Sequence, residues 1–268
     1  MDRLAWAGYA ASWTTEGTSG EKTVTEAEWL ACRDPTPMLD EVLFDWEEAT
    51  DEATSPRKLR LFMVACVRRQ WHHLHDQRLR RALDIAERFA ELGAPPEAPA
   101  EVLEAKAQAQ AAWNSIEDGP PLSAGIAAEF AVAPVRETLR NTLLPNASCA
   151  AYHACNAALP PPPYSPSETP KMREERYLRP EAKAQADLLR CIIGNPFRPV
   201  ALEAAWRTAT VATLAQTIYD ARDFGVLPVL ADALEEAGCT NQDILAHCRS
   251  GGEHVRGCWV VDLVLGKS

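Results

Sequence analysis

The chain has 268 residues, with 27 Lys and Arg against 38 Asp and Glu, and so a formal net charge of −11. That balance excludes a generally basic nucleic-acid-binding protein, while 47% hydrophobic and 24% charged residues form an ordinary globular mixture with enough apolar side chains for a core. About one residue in six is alanine, the strongest helix former and a poor filler of cores, so composition points to helix before any motif is read.

Eight cysteines (Cys32, Cys66, Cys149, Cys155, Cys191, Cys239, Cys248 and Cys258) would serve as four disulfides in a secreted protein. The opening MDRLAWAGYAASW has no basic segment followed by an apolar one, which argues against secretion. No apolar stretch approaches the ~20 residues of a membrane helix, and the run from Cys258 to Leu265 is interrupted by Asp262. The expectation is a cytoplasmic protein with reduced thiols and no membrane contact.

Residues 1–23 show no helical or strand period and read as a flexible tail. Thr25 to Glu28 has the spacing of a capping box, which starts a short helix through Trp29, Leu30 and Cys32. A second helix follows from Pro37 to Ala49, with Met38, Val42, Leu43 and Trp46 on one side and acids on the other. Ser55-Pro56 supplies a cap and a first-turn proline for a helix to about Leu74, whose apolar stripe is Leu59, Phe62, Met63, Cys66, Val67, Gln70 and Leu74. Asp76 caps the next, which turns Leu79, Ala82, Leu83, Ala86 and Phe89 inward and stops at Gly93. Alanine-rich helices are expected over Glu101–Glu117, over Ser123–Asn141 with Pro134 kinking or splitting it, and from Asn146 to Leu159.

Pro160 to Pro163, with Pro166 and Pro170, favours extended chain and is either a linker between two helical halves or a surface loop. A helix then ends at Cys191, Ile192 and Ile193 against Gly194, and Asn195 to Pro199 is expected to be extended. Thr208 or Thr210 starts a helix through Leu214, Ile218 and Tyr219. Gly225 to Ala237 forms another, ended by Gly238, and Thr240 caps a short one through Ile244, Leu245 and Cys248. Trp259 to Leu265 is either a buried helix or a strand.

Charge is segregated in the first half: residues 34–54 hold eight acidic and no basic side chains, whereas residues 57–88 hold nine basic against three acidic. One reading is nucleic-acid binding by the basic helices 57–88, with Arg57, Lys58, Arg68, His72 and His75 facing outward. The simpler one is that acidic and basic helices neutralise each other. His72 and His75, near Cys66, and the pair Cys149 and His153 have metal-ligand spacing without a second pair of ligands. The C-terminal third gathers Cys239, His247, Cys248, His254 and Cys258. From these Cys239, Cys248, His254 and Cys258 are a candidate tetrahedral zinc set, against the alternative that Cys248 simply follows the apolar period of Ile244 and Leu245. A Cys/His catalytic pair would use Cys248 or Cys258 with His254. No signature of the familiar hydrolases, P-loop enzymes, dinucleotide binders or zinc proteases is present.

TEAEWLACRDP (Thr25 to Pro35), RKLRLFMVACVRRQW (Arg57 to Trp71), GNPFRPV (Gly194 to Val200) and the segment Leu230 to Lys267, with its DILAHCR and HVRGCWVVDL motifs, resemble an uncharacterised bacterial family found in large paralogous sets. Ala231 to Gly238 (ADALEEAG) is similar to the ADWLEE-x-G unit of the bacterial repeat-companion domain. The family resemblance implies no catalytic residue. It does imply that residues 1–23 are an upstream extension, because relatives begin with Met where this chain has Val24.

The sequence thus predicts an all-α protein, an irregular multi-helix bundle of roughly ten helices, with regions 24–159 and 171–268 on either side of a Pro-rich stretch at 160–170. The expected role is non-catalytic protein–protein interaction or scaffolding, with loop residues Arg198, Arg249 and Arg256 as the binding surface and no cofactor. The first alternative is a small zinc-binding module in the C-terminal third. The second is nucleic-acid binding through residues 57–88.

Overall fold

Thr25 opens the first helix as its spacing requires: its N–H donates to the Glu28 carboxylate at 2.8 Å, and the Glu28 N–H returns to the Thr25 hydroxyl at 3.3 Å. This is a computed structural model describing residues 24–48, 55–92, 99–116, 120–132, 139–160 and 163–267. The expected tail at 1–23, the stop at Gly93 and the break at Pro134 lie outside the described residues.

Helix α1 (Glu26–Ala31) is followed by α2 (Pro35–Glu48), α3 (Pro56–Arg69), α4 (Gln77–Ala90), α5 (Ala100–Trp113), α6 (Pro120–Val132) and α7 (Leu139–Ala157). Beyond the proline stretch, α8 (Pro170–Arg173) runs through a π-helical turn (Glu174–Leu178) into α9 (Arg179–Ile193). Then come α10 (Ala209–Ala221), α11 (Leu227–Glu236), α12 (Gln242–Arg249) and α13 (Trp259–Leu265). Every regular element among the described residues is helical, so the protein is all-α, and the last apolar segment is a helix.

The expected caps are present. Ser55, Asp76 and Thr208 each accept a first-turn amide, and Gly194 and Gly238 end their helices at φ 82° and 90°. Four local expectations need correction. The helix through Arg69 tightens into a 3₁₀ turn at Trp71–His73 before Leu74. Asn195 to Pro199 is not extended: the Asn195 side chain accepts the Phe197 amide and its carbonyl accepts the Arg198 amide, closing a turn. The cap of α12 is Asn241 rather than Thr240. Finally, α7 is helical across Pro145. An interior proline costs about 3 kcal/mol, but α6 and α7 make the most extensive helix–helix contact among the described elements, and that packing outweighs the lost bond.

Alanine carries that contact. Ala124, Ala127, Ala128 and Ala131 of α6, and Ala147, Ala150, Ala151, Ala154 and Ala157 of α7, recur at helical spacing and are buried in one cluster. Helix α3 passes through the middle of this cluster, touched by α4, α6, α7 and α9, and its eleven residues from Arg57 to Val67 are all buried. Arg57 and Lys58 therefore do not face outward as expected, because α3 has no solvent face at its first turn.

A second cluster holds α10 to α13 together through Val211, Ile218, Leu227, Leu230, Leu234, Ile244, Leu245, Val260 and Val264. The two clusters meet along α3, α4 and α9. There Arg57 donates to Asp262 at 2.6 and 3.1 Å and to the Tyr219 hydroxyl at 3.0 Å, while Glu91 pairs with Arg57, Tyr219 and Lys267. Gly257 sits at φ 93° on this seam, where a Cβ would come within 3.0 Å of the Leu61 side chain. Arg57, Arg68 and Arg69 of α3 thus pair with carboxylates of α4, α9 and the C-terminal region, while the acidic helix α2 packs on α7 and α9. No helix among the described residues is long and apolar enough to cross a membrane.

Candidate metal centre

Four short-range choices bring one set of donors to the seam. Helix α9 ends at Gly194, and its last turns place Leu188, Leu189 and Ile192 in the first cluster and Cys191 in the second. On α12 the apolar period Ile244, Leu245, Cys248 turns Cys248 into the core, which leaves the neighbouring His247 on the side facing α13. The break after Arg249 returns the chain with His254, and Cys258 is the residue from which α13 starts.

Cys191, His247, His254 and Cys258 have their ligand atoms all within 4.8 Å of one another, the cysteines buried and the histidines half-buried. The Cys191 Sγ lies 3.5 Å from His254 Nδ1, and His247 Nε2 lies 3.3 Å from Cys258 Sγ. In a tetrahedral zinc site with Zn–S of about 2.3 Å and Zn–N of about 2.05 Å, neighbouring S and N atoms stand about 3.6 Å apart and two sulfurs about 3.8 Å. Both S···N contacts match, and the widest pair needs a closure of only about 1 Å to reach those separations.

The surrounding bonds orient the donors. With the proton of His254 on Nε2, that nitrogen donates to Ser250, whose Oγ and carbonyl lie at 3.1 and 3.4 Å, and Nδ1 is left with its lone pair toward the centre. The Ser250 hydroxyl in turn donates to the His247 carbonyl at 2.8 Å, tying both imidazole-bearing segments together. Trp259 closes one side, its ring 5.3 Å from that of His247 and packed on Gly194, where a Cβ would approach it to 3.2 Å.

The electrostatics favour anionic sulfur. Burial by itself would push the Cys258 thiol up, but hydrogen bonds from Cys191, His247 and His254 hold it well below the usual thiol range. Cys191, as the donor to that sulfur and itself buried, is pushed up. Burial opposes the charge on His254, yet its bond to Cys258 raises it above the ordinary imidazole value. Hydrogen bonds that favour a thiolate at Cys258 make the quartet a set of donors in which a divalent cation could replace the neighbours' protons.

The structure brings together only part of the set expected from the sequence, Cys239, Cys248, His254 and Cys258. His254 and Cys258 belong to the quartet, but Cys239 and Cys248 do not. Cys239 closes the end of α11, its amide bonded to the Leu234 carbonyl, with its side chain in the second cluster. Cys248 is fully buried and desolvation pushes its thiol up. Their places are taken by His247 and Cys191. The first was legible, since Cys248 and His247 cannot face the same way on one helix. The second lies 56 residues before His247, beyond any spacing rule. Of the two pairs expected for catalysis, Cys248 or Cys258 with His254, the structure brings together the second, and its Cys258 is fully buried.

The other sequence candidates lie elsewhere. Cys66 is enclosed in α3, where burial pushes its thiol up, and His153 is half-buried on α7 with its imidazole pulled down to about 4 by desolvation. Arg198 pairs with Glu26, and Arg249 with Asp232 and Glu235 of α11. Arg256 donates to the Tyr219 carbonyl at the end of α10 and stacks over its ring. The chain matches no protein-family model, no curated protein and no solved structure.

Proposed function

We propose that the chain is a zinc-stapled, non-catalytic helical protein, in which Cys191, His247, His254 and Cys258 hold one ion that joins α9 to the C-terminal helices. The observation that carries this reading is the convergence of two sulfurs and two imidazole nitrogens at separations near those of a tetrahedral S₂N₂ site. All four positions are filled by protein donors, the arrangement of structural zinc, which leaves no place on the ion for a substrate. The ion's work is then to fasten the two hydrophobic clusters, and the protein offers surfaces to a partner rather than a reactive metal. That agrees with the expectation of an interaction or scaffold role, with a protein as the partner and Arg198 and Arg249 on the accessible side.

Metal analysis of protein purified without chelator tests it. One zinc per chain is expected, lost in Cys191→Ser and Cys258→Ser and kept in Cys239→Ser and Cys248→Ser. Stripping the ion should lower the unfolding midpoint, by about 4 kcal/mol in free energy where free zinc stands a thousandfold above its dissociation constant. A metal-free protein whose stability ignores added zinc, or zinc lost with Cys248 and retained without Cys191, would overturn the assignment.

A further inference from the structure

The eight cysteines of the chain are free thiols, and among the described residues Cys191 and Cys258 are the two that share a cluster of ligating side chains. Their sulfurs lie within 4.8 Å of each other, the Cys191 thiol donating to the Cys258 sulfur. The two residues are 67 positions apart in sequence, Cys191 in the last turn of α9 and Cys258 at the start of α13.

Sulfur and nitrogen donors are held differently. Leu188, Leu189 and Ile192 anchor α9 in the first cluster, and Val260, Val261 and Val264 anchor α13 in the second, so helix packing by itself opposes the two sulfurs. His254, in contrast, follows a return from Ser250 to Glu253 in which all four residues are exposed and two are glycines. Both imidazoles are half-buried where both sulfurs are buried, so the site meets solvent on its nitrogen side.

We propose that the quartet is a redox-responsive staple, in which a peroxide joins Cys191 to Cys258 as a disulfide and releases the zinc. Helix α9 then stays fastened to α13 by a covalent bond in place of the ion, while the segment carrying His254 loses its metal anchor. The proposal rests on the zinc reading above and adds a regulation of that same site.

The step balances with hydrogen peroxide as the oxidant. One thiolate attacks a peroxide oxygen, an S–O bond forms as the O–O bond breaks, and the departing hydroxide takes a proton from solvent to leave as water. The second thiolate attacks the sulfenic sulfur, the S–S bond forms as the S–O bond breaks, and a second hydroxide leaves in the same way. Two thiolates have lost two electrons, one peroxide has become two waters, and Zn²⁺ departs because the anionic sulfurs that held it are gone. The sulfurs close from their present contact to about 2.05 Å. Loosening is confined to the return before α13, whose Glu253 pairs with Arg69 of α3 and whose Arg256 bonds the Tyr219 carbonyl.

Treatment of the zinc-loaded full chain with hydrogen peroxide tests the proposal, with released zinc read by a chromogenic chelator, remaining thiols alkylated and linkages mapped by mass spectrometry of the digest. One zinc released per Cys191–Cys258 disulfide is expected, reversed by dithiothreitol and added zinc, with the six other cysteines alkylated. Hydrogen exchange of the oxidised protein should rise over residues 247–257 and stay unchanged over 179–193. Cys248→Ser should behave as the parent does. Mapping on the parent chain needs no variant to fold. A disulfide through Cys239 or Cys248, zinc release without the Cys191–Cys258 linkage, or thiols that survive peroxide with zinc still bound would sink the proposal. In that last case the metal centre stands without its regulation. A chain that never holds zinc yet forms the disulfide would instead overturn the metal reading and leave a bare redox pair.

Discussion

Helices α5 to α7 pack through alanine, whereas α10 to α13 pack through leucine, isoleucine and valine. In the first region small side chains let the backbones approach closely, and each residue buries little area, so cohesion comes from many short contacts. In the second, fewer and larger side chains fill the space between shorter helices. The two regions should therefore fail in opposite ways. The alanine layer tolerates no added volume, and the C-terminal cluster tolerates no loss of it. Between them lies a polar seam of arginine–carboxylate pairs and the Cys/His quartet, whose partners come from distant parts of the chain.

The largest effect is expected at that seam. Asp262→Ala leaves Arg57 buried with only Glu91 and Tyr219, and breaking a buried pair from one side costs about 3–5 kcal/mol, readable by urea denaturation. A loss under 1 kcal/mol would mean that the seam is wetter than its burial suggests. Next, Leu234→Ala should cost about 2–5 kcal/mol through the cavity it leaves, while Ala128→Leu should cost about 1–3 kcal/mol by forcing α6 from its neighbours. A neutral Ala128→Leu would break the contrast between the regions outright.

The last effect appears only on acidification and concerns charge in the alanine layer. Burial holds His153 neutral down to about 4, so its folded value lies below the unfolded one near 6.5. The unfolded chain then takes up the proton first as pH falls, and stability drains away between those two values, by on the order of 3 kcal/mol in all. His153→Gln should flatten that part of the stability–pH curve and leave it unchanged above neutrality.

Helix starts and stops were legible because they depend on neighbours within one turn: Thr25 with Glu28, Ser55 before Pro56, Asp76, Thr208, and the glycines at 194 and 238. The passage of α7 through Pro145 was not, since local chemistry opposes it and only packing on α6 permits it. Alanine, read from composition as a weak core residue, became the core once three helices aligned their stripes. The candidate site was legible in its C-terminal half, where His254 and Cys258 are near in sequence. Cys191 and the 205-residue separation of Arg57 from Asp262 depend on tertiary docking, to which no spacing rule applies.

Helix α3 has a kinetic consequence. It is covered by α4, α6 and α7 from its own half and by α9 from beyond the proline stretch, while its first turn is held by a residue of the last helix. No local fraying of a single neighbour can bring water to the amides of residues 60–67, so their hydrogen exchange should proceed only through opening of the whole molecule. These amides report global stability, and a break in the backbone at residues 160–163 would place the elements that protect them on two separate fragments.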